Sequence, residues 1–200
     1  MKTKIILATR NQGKIHEIQS MLDSNYFEIK NLSQYPEIPE VIEDGITFQE
    51  NALKKATAIF EATGIMVLAD DSGLEVDYLN GRPGVYSSRF AGEKATDTEN
   101  NRKLLNLLNG VPQTRRAARF RCVMILKTPE QTYSFDGTCK GIIIDEPRGK
   151  NGFGYDPLFY VPEFQQTFAE LDSQIKNQIS HRGIALRKVI DLLKNWEKNP

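Results

Sequence analysis

The sequence predicts an α/β fold. Two short apolar runs, Lys4–Thr9 and Ile65–Ala69, have the composition of buried strands, and each adjoins a segment whose apolar residues recur at helical spacing. With 200 residues, of which 40% are hydrophobic, the chain is long enough to bury one sizeable core. We therefore expect residues 1–200 to form a single domain with two lobes.

Composition narrows the possible partners. The 26 basic residues balance the 26 acidic ones, which argues against a protein that coats a nucleic acid polymer. No apolar run approaches the roughly 20 residues that span a bilayer, and the start turns polar after Ala8, so we expect a cytoplasmic protein without a membrane partner. The cysteines, Cys122 and Cys139, are interpreted as reduced structural thiols, with a disulfide or a zinc site as the alternatives.

The first elements follow from periodicity. Lys4–Thr9 is expected to be a strand, and from Gly13 onward Ile15, Ile18 and Leu22 repeat at the spacing of a helix face. A second strand is expected over Phe27–Leu32.

The next pair of elements has clear boundaries. Thr47 and Glu50 match a capping box, in which each side chain accepts the other residue's backbone N–H, and Gly64 ends the predicted helix. The strand Ile65–Ala69 follows, and we expect it to end at Asp70–Gly73. This places two acids at the carboxyl end of a strand, where open α/β sheets bind ligands.

The second half of the chain contains more loops and strands. Gly-rich loops are expected over Asn80–Gly92 and Pro147–Pro157, and a second capping box at Thr96–Glu99 begins a helix. The predicted antiparallel strands are Phe120–Lys127, Thr132–Asp136 and Cys139–Ile144, and a further short strand is expected over Leu158–Val161. The predicted last elements are a helix over Ser173–Ser180, a break at His181–Gly183 and an amphipathic helix from Ile184.

Three groups of side chains carry the candidate chemistry. Thr9, Asn11 and Lys14 offer a hydroxyl, an amide and an ammonium where a helix begins, which suits a phosphate. An ordinary helix start is the alternative, because the spacing is not that of a Walker A loop.

Acidic residues form the second group. Glu43, Asp70 and Asp71 fall before one helix and after one strand, and clustered carboxylates require a cation among them. Hard oxygen ligands suit Mg²⁺. The alternative is that Asp70 only shapes the strand end and Glu43 is a solvated loop acid.

The third group is aromatic and basic. Phe153 or Tyr155 in a Gly-rich loop can stack on a base, and Asp156 can accept from ring N–H groups. His181 and Arg182 can reach phosphates or a base edge, unless His181 is simply a surface cap residue. No Ser/His/Asp or Cys/His set is available, so the groups together indicate Mg²⁺-dependent hydrolysis of a nucleoside triphosphate.

Six motifs, in order along the chain, resemble the inosine triphosphate pyrophosphatase family, which removes non-standard purine nucleoside triphosphates from the precursor pool. The motifs are Thr9–Lys14, Gly45–Ala52, Ala69–Leu74, Gly81–Ser87, Gly152–Pro157 and Ser180–Gly183. The resemblance extends from Lys4 to about Leu193. It implies an elongated mixed central sheet flanked by helices, a smaller second lobe, a nucleotide cleft between the lobes, and a homodimer.

The resemblance also implies roles for individual residues. Asp71 is expected to be the catalytic acid that holds Mg²⁺ and activates water, with Glu43 as a second metal ligand. Arg10 is expected either to add a phosphate contact or to face solvent. The expected substrate contacts are Thr9, Arg10, Asn11, Gln12, Gly13, Lys14, Ser72, Phe153, Gly154, Tyr155, Asp156, Lys176, His181 and Arg182.

The expected reaction is attack of water at the α-phosphorus of ITP, dITP or XTP, which yields the monophosphate and pyrophosphate. Selectivity is expected at purine position 6, where a donor such as a backbone N–H or Arg182 would bind a carbonyl oxygen and leave an amino group mismatched. Two alternatives remain: a related pyrophosphatase for pyrimidine or modified nucleotides, and a nucleotide-binding module without catalytic activity.

Overall fold

A seven-stranded mixed sheet forms the centre of the computed structural model, in the strand order β2-β1-β3-β4-β5-β6-β7. The structure describes residues 2–22 and 25–198, and side chains to residue 194. Strands β1 and β2 are parallel, as are β1 and β3, whereas β5, β6 and β7 are antiparallel neighbours. The strands are β1 Thr3–Leu7, β2 Phe27–Asn31, β3 Val67–Val76, β4 Ala117–Lys127, β5 Thr132–Ile143, β6 Phe159–Val161 and β7 Gln166–Thr167. The predicted mixed α/β class is confirmed.

Five α-helices are assigned within the described residues, besides short 3-10 turns. They are α1 Gln12–Met21, α2 Phe48–Thr63, α3 Asp97–Leu107, α4 Ser173–Ile179 and α5 His181–Lys198. Helix α2 ends where predicted, because Gly64 adopts a left-handed φ of 65° that a side chain would disfavour. Within the described part of the chain, no helix is long and apolar enough to cross a membrane.

Of the two predicted capping boxes, the one in α3 is formed as expected and the one in α2 is formed only in part. In α3, Thr96 and Glu99 accept each other's backbone N–H, as a full capping box requires. In α2, Thr47 accepts from the Glu50 N–H at 3.1 Å, but the Glu50 carboxylate accepts from the N–H of Ile46, one residue before the cap, at 2.8 Å. The Glu50 carboxylate therefore fixes the loop that precedes the helix.

The prediction that a strand ends at Ala69 is wrong. Strand β3 continues through Asp70 and Asp71 to Val76, because Leu74 and Val76 keep the strand buried beyond the glycine at position 73. The acids nevertheless lie beyond the end of β1, since β1 pairs with β3 only up to Leu7 and Leu68. They are at the carboxyl end of the neighbouring parallel strand rather than of their own.

Two other boundaries differ from the predictions. The expected strands Thr132–Asp136 and Cys139–Ile144 are one continuous strand, β5. Gly137 does not break it; a Cβ there would lie 2.1 Å from the backbone oxygen of His181, so the glycine permits a close backbone approach. The expected break at His181–Gly183 is also wrong, because Ser180 ends α4 and α5 begins at His181.

The described residues divide into two compact units. The first comprises the described parts of Met1–Asp71, Cys122–Gly137 and His181–Pro200, and the second comprises Ser72–Arg121 and Thr138–Ser180. Each has its own apolar core. The first core includes residues of β1, α1, β3, β4 and α5, and the second includes residues of β3, α3, β4, β5 and β6 together with Phe168, which follows β7.

Three phenylalanines fill the centre of the second core. The rings of Phe120 and Phe168 are stacked with centroids 5.6 Å apart, and Phe159 is tilted against both at 4.7 and 4.8 Å. Phe159 and Phe168 are completely buried. Aromatic residues packed in this way contribute both buried area and ring-ring attraction.

We expect Phe168→Ala to lower the free energy of unfolding by about 3–5 kcal/mol, because the lost ring leaves a cavity in this core. The measurement is urea denaturation. Phe164→Ala is the matched control, since that ring is 36% exposed and its loss should have a much smaller effect. Equal midpoints for the two variants would contradict the proposed packing.

Candidate active site

The start of α1 is organised by its own side chains. Asn11 caps the helix by accepting from the Lys14 N–H at 3.1 Å, and the Thr9 hydroxyl accepts from the Asn11 N–H at 3.2 Å. Arg10 donates to the carbonyl of Ile38 at 3.0 Å. The first turn of α1, which includes Gln12 and Gly13, follows directly from the cap. Its backbone N–H groups lack helical partners, as at any helix N-terminus, and suit an anion.

A buried cluster of charges surrounds Asp70. The Asp70 carboxylate contacts Lys14 Nζ at 2.5 Å and Arg182 Nε at 3.2 Å. Arg182 also contacts Glu17 at 2.5 Å, and the Cys122 thiol donates to Asp70 at 3.1 Å. Two carboxylates therefore face two cations, and the chain brings together residues of α1, β3, β4 and α5 that the sequence separates widely.

A second acidic pair lies around Lys55 of α2. The Lys55 ammonium contacts Glu43 Oε2 at 2.9 Å, the Asp70 carbonyl at 2.7 Å and Asp71 Oδ1 at 3.9 Å. Asn51, one turn earlier on the same helix, donates to Asp71 Oδ2 at 3.1 Å. The predicted metal ligands Glu43 and Asp71 thus both lie beside the ammonium of Lys55.

The adjacent acids Asp70 and Asp71 are in opposite electrostatic states. Burial raises the pKa of Asp71 to about 6; Lys55 and Lys14 counteract this rise, and Glu43 and Asp70 add to it. Burial acts in the same direction on Asp70, but Arg182, Lys14 and Lys55 outweigh it and hold its pKa well below the usual range. Two carboxyl groups whose pKa values are pushed apart are typical of a site with distinct acid and base roles.

Glu43 and Asp71 are suitable ligands for a hard cation. Among the described residues, no three His, Cys, Asp or Glu side chains are grouped closely enough to hold a metal ion by themselves. Mg²⁺ commonly uses only one or two carboxylates, with water and substrate phosphates as its other ligands. The half-buried Glu43 and the buried Asp71 fit that mode of binding.

The second unit contains the predicted aromatic group. Asp156 Oδ2 accepts from the Phe153 N–H at 3.0 Å and from Lys176 Nζ at 2.6 Å, and the Lys176 ammonium lies 5.3 Å from the centre of the Phe153 ring. A Cβ at Gly152 would lie 2.0 Å from Asp156 Oδ2, so the loop turns too closely for a side chain. The half-buried Phe153 ring is therefore held over a buried cation.

Helix α3 fixes the same loop from its first turns. Asp97 Oδ2 accepts from the Gly154 N–H at 2.7 Å, and Asn101 Nδ2 donates to the Gly154 carbonyl at 2.9 Å. The backbone of Gly154 is thus bound on both sides. Both contacts join residues more than 50 positions apart, and no sequence spacing indicates them.

The remaining predicted site residues, Tyr155, His181 and Ser72, are buried or half-buried in the fold. Tyr155 is buried in the second core and donates its hydroxyl to the Ser87 carbonyl at 2.9 Å. His181 is buried at the first residue of α5, which is not the position of the alternative surface cap. Ser72 is half-buried in β3, directly after Asp71.

Sequence reasoning missed Asn51, Lys55 and Glu17. A signal for the first two was present: they are four residues apart and fall on the apolar face of the predicted helix, where a buried polar side chain requires a partner. Glu17 gives no such signal, because a half-buried acid on an amphipathic helix is ordinary.

Comparison with known proteins identifies relatives over nearly the whole chain. A model described as the Ham1 family matches residues 5–192. A dITP/XTP pyrophosphatase of Desulforamulus reducens is 55% identical over 191 residues, which cover 95% of each chain. A dITP/XTP pyrophosphatase of Geobacter sulfurreducens is 52% identical over 196 residues, which cover 98% of each chain.

Solved structures of HAM1 proteins also match nearly the whole chain. A HAM1 protein from Coxiella burnetii is 44% identical with a TM-score of 0.88, and the match covers 96% of this chain and 99% of that one. The Ham1 protein of Staphylococcus aureus is 43% identical with a TM-score of 0.86, with coverage of 96% and 99%.

We expect Asp70→Ala to lower the free energy of unfolding by about 3–5 kcal/mol, because it leaves Lys14 and Arg182 without their shared buried carboxylate. Chemical denaturation monitored by circular dichroism measures the change. Asp136→Asn is the control, since its pair with Lys188 is exposed and contributes little. If Asp70→Ala were as stable as the control, the buried ion pairs would not stabilise the first unit.

Proposed function

The chain belongs to the Ham1 family, and from that premise we propose that it is a nucleoside triphosphate pyrophosphatase that hydrolyses dITP, XTP and ITP to the monophosphate and pyrophosphate. The family predicted from the sequence motifs is confirmed, and the expected activity agrees with the names of the relatives. A homodimer and a cytoplasmic location remain predictions from the sequence.

One observation supports this proposal above the others: two neighbouring aspartates have different surroundings. The negative charge of Asp70 is balanced by ion pairs with Lys14 and Arg182. Asp71 instead shares the ammonium of Lys55 with a second acid, Glu43. A carboxylate in the position of Asp71 can accept the proton of an attacking water and ligate a cation. A carboxylate in the position of Asp70 instead fixes the cations around it.

We propose Mg²⁺ as the cofactor, with Glu43 and Asp71 as its protein ligands. The pair fits because Mg²⁺ requires few protein carboxylates when a triphosphate supplies further oxygens. When bound, Mg²⁺ would neutralise charge that develops on the phosphate oxygens during phosphoryl transfer.

The residues of the first unit have distinct parts in the proposed reaction. The N–H groups at the start of α1 and the ammonium of Lys14 bind phosphate oxygens. Asp71 accepts the proton from the water that attacks the α-phosphorus, and pyrophosphate leaves with the electrons of the broken P–O bond. Lys55 holds Asp71 and Glu43 in place, so that the acids are preorganised before the substrate binds.

In the second unit we propose that Phe153 supplies the flat surface for the purine. Its ring is fixed by Asp156, Lys176 and the contacts of Gly154 with α3, so little motion is lost when a base stacks on it. A purine with a carbonyl at position 6 requires a donor, and the sequence-based candidate Arg182 is instead bound to Asp70 and Glu17. Backbone N–H groups are therefore the more suitable donors.

We expect Asp71→Asn to reduce kcat by about 100- to 10,000-fold, because the amide cannot accept the proton of the water. Steady-state release of pyrophosphate from XTP measures this. The variant should remain folded, since it removes a buried charge, and circular dichroism should show no change. Asp191→Asn, which alters an exposed acid on α5, is the control, and equal rates for both variants would exclude Asp71 as the base.

Product analysis tests the reaction itself. We expect monophosphate and pyrophosphate from dITP, XTP and ITP in the presence of Mg²⁺, no turnover with chelator, and much slower turnover of ATP and GTP. Anion-exchange chromatography separates the products. Orthophosphate would place the attack at the γ-phosphorus, a preference for UTP or dTTP would indicate a pyrimidine enzyme, and binding without product would indicate a nucleotide-binding module.

A further inference from the structure

Asn51 is a buried amide that joins two parts of the site. It is 1% exposed, and both ends of its side chain are bonded. Its Nδ2 donates to Asp71 Oδ2 at 3.1 Å, and its Oδ1 accepts from the Gly45 N–H at 2.8 Å. One side chain thus contacts β3 and the loop that carries Glu43.

The loop approaches Asn51 too closely for a side chain at position 45. A Cβ on Gly45 would lie 2.7 Å from Asn51 Oδ1 and 2.8 Å from the Cβ of Glu50. The next residue, Ile46, donates its N–H to Glu50 at 2.8 Å. The segment after Glu43 is therefore bound to the first turn of α2 at two successive backbone N–H groups.

Helix α3 contains a similar arrangement, but its asparagine is not hydrogen-bonded to a carboxylate. Its cap, Thr96, is followed by Glu99 and Asn100, as Thr47 is followed by Glu50 and Asn51 in α2. Asn100 is also buried, and its Oδ1 accepts from the Ala91 N–H at 2.7 Å. Its Nδ2, however, donates to the Ser88 carbonyl at 3.0 Å, so both of its bonds hold only the preceding loop.

The difference between the two asparagines suggests a function for one of them. In α3 both ends of the amide stabilise a loop. In α2 the acceptor end holds the loop, and the donor end is directed at the carboxylate that we propose as the catalytic base and metal ligand. Because a hydrogen bond to a carboxylate fixes which oxygen faces which partner, it sets the orientation of Asp71.

We infer that Asn51 is a positioning residue that orients the Asp71 carboxylate and keeps the Glu43 loop at a fixed distance from it. This inference rests on the proposed function, since it assigns Asn51 a role through Asp71. It does not require Asn51 to contact the substrate.

Two substitutions at each asparagine separate positioning from structural support. Asn51→Leu removes both hydrogen bonds and keeps the branching of the side chain. Asn51→Asp keeps the shape and the acceptor for Gly45, but it replaces the donor with a charge that repels Asp71. Asn100→Leu and Asn100→Asp are the matched controls, because they make the same changes at a buried amide whose own hydrogen bonds are to Ala91 and Ser88, which are not proposed site residues.

We expect Asn51→Leu to reduce kcat for XTP by about 10- to 100-fold with KM changed less than about threefold, and Asn51→Asp to reduce kcat by at least about tenfold. The Asn100 variants should show similar losses in melting temperature with kcat within about twofold of the unmodified protein. Calorimetric titration with Mg²⁺ alone provides a readout independent of turnover, and Asn51→Leu should bind it about tenfold more weakly.

The inference is overturned if the Asn51 variants keep kcat and Mg²⁺ affinity while losing as much stability as the Asn100 variants. If Asn51→Leu does not fold, Asn51→Asp alone decides between the two results. Absence of turnover by the unmodified protein would refute the proposed function instead. In that case the Mg²⁺ titrations still test the inference, because equal affinities for Asn51→Leu and the unmodified protein would refute it.

Discussion

The buried carboxylate of Asp70 connects elements from both ends of the first unit. It pairs with Lys14 from α1 and with Arg182 from α5. Glu17 of α1 forms a second ion pair with Arg182. None of these groups can be buried alone without a large cost in solvation free energy. The start of α1, the middle of β3 and the start of α5 must therefore come together for any of them to be buried.

The geometry of a β-strand explains how Asp70 and Asp71 come to differ. Successive side chains point to opposite faces of a strand. Asp70 therefore shares a face with Leu68, which packs in the core that includes residues of α1 and α5, and Asp71 points toward α2 and meets Asn51 and Lys55. On one face, ion pairs stabilise the charged form of Asp70. On the other face, burial raises the pKa of Asp71.

Helix α2 contributes to the site through its cap and two buried polar residues. Thr47 caps the helix, Asn51 contacts Asp71, and Lys55, one turn further on, contacts both Glu43 and Asp71. Residues four apart lie one above the other on a helix, so a single rigid element holds the amide and the ammonium in register. A preorganised arrangement of this kind is what the stabilisation of a charged transition state requires.

The sequence alone determined the α/β class, most helix and strand positions, and several charged residues of the candidate site, among them Lys14, Glu43 and Asp71. These features depend on local patterns: periodicity, Thr and Gly caps, and short motifs. Only the tertiary structure decided that β3 continues past Asp71, that β5 passes through Gly137, and that Asn51 and Lys55 belong to the site. Those outcomes depend on contacts between residues distant in sequence, since a glycine breaks a strand or permits a close approach according to what packs against it.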